Sequence, residues 1–248
     1  MSYLKNLIRF LLVFVVLSAC GEQKQKEEAS TTSSSIKDTI VSKEDKPVNK
    51  AEKSVDTTTQ FPELTNDNVI EFLTQYGAKN PETKVRVTAF NGEFKDSLDI
   101  ELYDDTPLHR ANFIYLTKQG YFNETFFHRI VPNFIIQGGN SDNVSTPKKR
   151  GRIGDYLLPA ELDNNRVHRY GTVSGAKEYR ENPGKQTAPY EFFIFLGPQS
   201  ATGHLNGNYT IFGRVTRNME LVEKIANLPH DDGDWPLRNV YITAKVME

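Results

Sequence analysis

The chain is 248 residues long, 38% hydrophobic and 25% charged, which suits one large or two small globular units with a polar segment attached. Its formal net charge of -2 argues against non-specific nucleic-acid binding, which needs a basic surface to displace the counterions of the phosphate backbone. The one cysteine, Cys20, rules out a disulfide within the chain.

Lys5 and Arg9 precede the apolar run 10–17, and Leu17-Ser18-Ala19-Cys20 follows. The run is too short to span a bilayer and the right length for the apolar core of a secretory signal. Leu-Ser-Ala-Cys resembles a bacterial lipobox. That resemblance implies a signal peptide over residues 1–19 and lipidation of Cys20 as the mature N-terminus; the alternative is an ordinary signal or short anchor with a chance cysteine. Each buried CH₂ of an acyl chain contributes about 0.8 kcal/mol, so several chains hold a protein durably on a membrane. The next residue is Gly21, not the Asp that often marks inner-membrane retention, so the outer membrane is favoured. Residues 20–60 are Ser, Thr, Lys, Glu and Gln with few apolar side chains, too few to offset ordering entropy, and are expected to form a disordered tether. Its r.m.s. reach is roughly 35 Å.

Residues 61–80 are expected to be helical, with Val69, Ile70, Phe72 and Leu73 at mixed helical spacing, capping from Thr65, Asn66 or Asp67, and Gly77 and Pro81 as stops. This segment, 61–81, is expected as a helical extension to a domain over 82–248. Residues 85–90 alternate, Asn91-Gly92 is a hairpin turn, and 97–102 alternate again. Thr106-Pro107 supplies a cap and first-turn proline for a helix closed by Gly120. The run Phe-Phe-His-Arg-Ile-Val-Pro-Asn-Phe-Ile-Ile-Gln-Gly-Gly-Asn over 126–140 predicts strand, tight turn at Pro132-Asn133, and strand, ending at Gly138-Gly139. Arg129 is anomalous in it, because a charge among apolar residues needs a partner or a role. The basic run Lys148-Lys149-Arg150-Gly151-Arg152 has no interleaved aromatics and is expected in a solvated loop. A helix near 219–227 and a strand over 238–246 close the chain. Short strands, hairpin turns and two solid helices imply a mainly β, closed antiparallel barrel with helices over its ends.

The 126–140 segment resembles the signature of the cyclophilin-type peptidyl-prolyl cis-trans isomerases. Further blocks resemble the same family in order: Asn112-Phe113, Gly120-Tyr121-Phe122, Pro159-Ala160-Glu161-Leu162, residues 170–176, Glu191-Phe192-Phe193-Ile194 and residues 204–215. The resemblance spans roughly the last two-thirds of the chain. It implies an eight-stranded barrel with two helices, no cofactor, and proline-containing polypeptides as clients of a monomer; the five scattered His residues, with no His-Glu-x-x-His or Cys cluster, argue against a metal site.

By that resemblance Arg129 is catalytic. Phe134, Ile135, Phe193 and Leu205 form an apolar proline pocket with Tyr209 at its rim and His204 beside it; Gln137 binds substrate backbone and helps orient Arg129, and Ala176 lines the adjoining groove. Taken singly, the apolar residues read as barrel core, as do Tyr121 and Phe122, and His128 reads as a structural histidine. Departures from the family pattern are Ile135 where Met is common, Glu191 where Gln is common and places a negative charge near the groove, and Lys177 for Asn. His204 replaces a Trp and Tyr209 a His, which weakens cyclosporin binding more than catalysis. The expected function is isomerisation of X–Pro bonds in folding envelope proteins. The rivals are a proline-peptide-binding chaperone or adaptor without turnover, and a structural envelope lipoprotein.

Overall fold

The computed structural model describes residues 61–177 and 181–248. The expected signal peptide, Cys20 and tether lie outside the described residues. No helix among the described residues is long and apolar enough to cross a membrane.

In chain order the elements are β1 (Leu64–Thr65), α1 (Val69–Lys79), β2 (Lys84–Phe90), β3 (Lys95–Leu102), α2 (Pro107–Lys118), β4 (Thr125–Val131), β5 (Ile135–Asn140), α3 (Ser145–Ile153), β6 (Gly154–Asp155), β7 (Thr172–Gly175), β8 (Phe192–Phe195), β9 (Ile211–Arg217), α4 (Met219–Ala226) and β10 (Val240–Val246). Eight strands close a barrel in the order β10-β2-β3-β9-β7-β8-β5-β4, and every neighbouring pair is antiparallel. Closure leaves no exposed sheet edge. The short β1 and β6 pair in parallel outside it.

Alternation along the strands sorts side chains to two faces, as a pleat must. In β2, Val85, Val87 and Ala89 are buried while Lys84 and Arg86 are exposed. On β5 and β8 the alternation separates two apolar clusters. Ile136, Phe192 and Ile194 join the barrel interior; Ile135, Phe193 and Phe195 turn outward and pack with Leu205 as a second cluster. A strand buried on both faces therefore builds the core with one set of side chains and an outer hollow with the other.

Three local expectations are corrected. Only Val69–Lys79 of the 61–80 segment is helical; Leu64–Thr65 is extended against Gly154–Asp155. Gly77 does not stop α1: it lies inside the helix, where an added Cβ would sit 3.0 Å from the Ala111 Cβ of α2, so it permits close helix approach. Phe61, Phe72, Tyr76 and Tyr115 meet there with ring centroids 5.1–5.8 Å apart, mostly edge to face, the arrangement the ring quadrupole favours. Secondly, the basic run at 148–152 lies on a helix, α3. Its last-turn Arg150 and Arg152 complement the negative helix end, and Arg150 lies over the Tyr190 ring at 5.1 Å while its Nε donates to Tyr121 Oη. Thirdly, Thr106 does not cap α2 with its side chain; the Glu161 carboxylate accepts from the Leu108 and His109 amides, both at 3.0 Å.

On the barrel wall, Asp99 accepts from Arg86 Nε at 2.8 Å and Arg217 Nε at 2.7 Å. The hydrogen bond from Arg86 chiefly, with Arg217, outweighs burial and holds its carboxyl well below the usual range. A depressed folded-state pKa contributes stability that is present above the unfolded value, about 3.9, and lost as pH falls below it. Urea unfolding midpoints should therefore decline as pH drops from about 4, and Asp99→Asn should flatten that decline; a pH dependence equal to wild type would remove Asp99 as a contributor.

Candidate active site

The site starts from the β4–β5 hairpin. Asn133 takes the left-handed backbone, φ 58°, that asparagine tolerates, and the Phe134 amide closes the turn on the Val131 carbonyl at 3.0 Å. Strand β5 runs on to Asn140 instead of ending at the glycine pair. Gly139 adopts φ 101°, and a Cβ there would lie 2.1 Å from the Tyr190 carbonyl oxygen, so close approach to the chain entering β8 requires glycine.

The outward faces of β5 and β8 with the segment around Leu205 bound a cavity of about 500 Å³. Ile135, Phe193 and Leu205 are its buried apolar lining. Phe134 and Tyr209 stand half-buried at its sides, Ala176 is buried in its wall, and Gln137 and the exposed His204 complete the polar part. Arg129 lines the same cavity. The residues singled out in the sequence thus converge on one hollow, joined by two that were not: Asn182, and Lys177, noted only as a departure.

Phe193 is held rigidly. Buried His168 stacks on it at 5.8 Å with ring planes 6° apart, and Tyr209 meets it edge-on at 5.6 Å. Burial, opposed by a hydrogen bond with Asn206, lowers the His168 pKa below its ordinary value. Its Nδ1 faces Asn206 Oδ1 and its Nε2 faces Ser174 Oγ.

One expected contact is corrected. Gln137 does not orient Arg129; although the two residues are register partners across β4 and β5, Gln137 Nε2 donates to Glu191 Oε2 at 2.9 Å. The partner of Arg129 is Asp234, whose Oδ2 accepts from Nε at 3.2 Å. Asp234 comes from a braced turn: its carbonyl accepts from the Ile130 amide at 2.8 Å, it has φ 64°, and Asp231 Oδ1 accepts from the Gly233 and Trp235 amides. Arg129 and Asp234 side chains are each about a third exposed, at 35% and 34%.

Glu191 is not part of the cavity lining but adjoins it through Gln137; its carboxylate is 3.5 Å from His128 Nε2 and 3.6 Å from Arg150 Nη2. Burial alone would raise its pKa, but the hydrogen bond and charge of His128, the Gln137 amide and the Arg150 charge outweigh burial and hold it below the usual range. His128 is buried with one nitrogen facing this acid, while its Nδ1 has no hydrogen-bond partner among the described residues.

An outward-facing apolar hollow with a guanidinium on its wall, on a closed antiparallel barrel, is the architecture of a prolyl-peptide isomerase. A family model described as cyclophilin type peptidyl-prolyl cis-trans isomerase/CLD matches residues 84–246, and the chain belongs to that family. It is 33% identical over 140 residues to peptidyl-prolyl cis-trans isomerase CYP18-2 of Arabidopsis thaliana, covering 56% of this chain and 80% of the relative. It is also 33% identical over 199 residues to peptidyl-prolyl cis-trans isomerase-like 2 of Gibberella zeae, covering 78% of this chain but only 32% of that longer protein. Among solved structures, a Cryptosporidium parvum cyclophilin type isomerase superposes with a TM-score of 0.54 at 26% identity, covering 67% of this chain and 98% of that one.

Proposed function

We propose that the chain rotates X–Pro bonds in folding envelope proteins of a bacterium, held to a membrane, the outer one favoured, through lipidated Cys20, and that Arg129 performs the chemistry. The observation that supports the mechanism is Arg129 on the wall of a cavity whose buried lining is Ile135, Ala176, Phe193 and Leu205.

No bond is made or broken in this reaction. Amide resonance opposes rotation with a barrier of about 18–20 kcal/mol, and the unaided change at X–Pro takes tens to hundreds of seconds, ~100 s. Shortening ~100 s to ~10 ms is about 10⁴-fold, or roughly 5.4 kcal/mol. One well-placed donor supplies about 2.7–4 kcal/mol; gripping the ring and stripping water from the amide supplies the rest. A guanidinium directed at the prolyl nitrogen favours its pyramidal, twisted form over the planar ground state, which is differential binding of the transition state. Asp234 engages only Nε, and Arg129 carries further N–H donors on its terminal nitrogens in the same rigid plane.

The pairing with Asp234 favours a second reading, a proline-peptide binder whose arginine is neutralised. Exchange spectroscopy by NMR on an Ala-Pro peptide with catalytic amounts of protein separates the two. Accelerated cis–trans exchange supports the enzyme; binding shifts with exchange at the uncatalysed rate would leave only the binder. For the anchor, the expected result is that Cys20→Ser moves the protein from the membrane to the soluble fraction, whereas retention on the membrane would exclude lipidation as the tether. Leu17-Ser18-Ala19-Cys20, on which the anchor rests, lies outside residues 84–246 that the family model matches.

A further inference from the structure

Among the described residues, the cavity lining contains two cations, Arg129 and Lys177, and no carboxylate. Glu191, two residues from Phe193, is committed to Gln137, His128 and Arg150. Asp234 is committed to Arg129. Lys177 has no ion-pair partner among the described residues.

The lysine is also held in place. Its root follows Ala176, whose amide donates to the Glu191 carbonyl at 3.3 Å and whose carbonyl accepts from the Ala188 amide at 2.9 Å. Its ammonium lies 4.8 Å from the centroid of the Tyr209 ring, and that ring meets Phe193, the buried wall of the proline pocket, at 5.6 Å. The charge therefore stands about one side chain from the place where a proline ring would sit. Burial first, and the neighbouring charge of Lys185 second, lower the Lys177 pKa; both are costs that an anion beside the ammonium would relieve. Lys185 cannot neutralise it, and instead donates to the Gly207 carbonyl.

We propose that Lys177 makes this site selective for clients that carry an acidic side chain, Asp or Glu, beside the proline. This rests on the isomerase reading of the same cavity. An ion pair at a half-exposed position is worth about 1 kcal/mol, or about fivefold, and is weakened by salt.

The test uses peptides with one Ala-Pro core and Glu, Ala or Lys placed next to it, on either side in separate peptides. Exchange rates are measured for wild type, Lys177→Gln and Lys177→Glu at low and high salt. For wild type, kcat/KM should fall in the order Glu, Ala, Lys, with about fivefold per step. The preference should vanish in Lys177→Gln, invert in Lys177→Glu, and shrink at high salt. The ratio between peptides within each variant separates selectivity from a merely structural effect of the substitution. Turnover of the Ala peptide with no Glu preference in wild type, or a preference retained in Lys177→Gln, would overturn this inference alone. Turnover of none of the peptides would remove the isomerase reading and this inference with it.

Discussion

Replacing Glu191 with alanine should cost about 3–5 kcal/mol of unfolding free energy, the range for breaking one partner out of a buried charge cluster. The carboxylate accepts a hydrogen bond from Gln137 Nε2 at 2.9 Å and stands at ion-pair distance from His128 Nε2, 3.5 Å, and Arg150 Nη2, 3.6 Å. Arg150 Nη2 and His128 Nδ1 already lack hydrogen-bond partners among the described residues, so losing the acid leaves a partly buried cation uncompensated. Glu191→Gln keeps the shape and one acceptor and should fall between alanine and wild type. The sign of the pH effect follows from the depressed carboxyl pKa. Its stabilisation is present above the unfolded value near 4.3 and lost as pH falls through the folded value, so the alanine variant should lose less stability on acidification than wild type does. Urea titrations at pH 7 and pH 4 measure both; an alanine variant within 1 kcal/mol of wild type at pH 7 would contradict the account of the cluster.

That cluster was only half legible beforehand. Glu191 stood out as a departure from the family pattern, Arg129 as a charge among apolar residues and Gln137 through the resemblance. The hairpin pattern put Arg129 and Gln137 on successive strands but could not choose their partners. The resemblance implied that Gln137 orients Arg129, and the two are register partners, yet Gln137 turns to Glu191 and Arg129 to Asp234. The two members of the latter pair are 105 residues apart, and nothing in Asp231-Asp232-Gly233-Asp234 distinguishes a turn acid that holds an arginine from a solvated one. Long-range polar pairing is fixed by barrel closure, which no local pattern reports.

Periodicity served better. Alternation in β2 and the strand–turn–strand of the hairpin follow from side-chain period and from Pro132-Asn133. In Phe192–Phe195, where all four residues are buried, apolar pattern alone cannot say which side chains are core and which line a pocket. The resemblance singled out Phe193 alone; in the structure Phe193 and Phe195 fall in one apolar cluster and Phe192 and Ile194 in the other. Helix α3 escaped because its sequence, STPKKRGRI, has no apolar stripe. It is held by buried Thr146 and Ile153 and by Arg150 against Tyr121 and Tyr190, contacts made with residues distant in sequence. Glu161 capped α2 in place of Thr106 for the same reason.

The proposed mechanism depends on a positive charge at the wall of a hollow with a buried apolar floor lowering the barrier to amide twist, and Arg129→Ala isolates it. Because that interaction strengthens as the nitrogen leaves its plane, its loss should appear in turnover and not in peptide affinity. NMR line-shape analysis of an Ala-Pro peptide with wild type and Arg129→Ala yields kcat and Kd separately. The expected result is a fall in kcat of about 10²–10³ with Kd nearly unchanged, and only partial recovery in Arg129→Lys, whose ammonium lacks the planar fork. An alanine variant that binds the peptide and turns it over at the wild-type rate would contradict the claim.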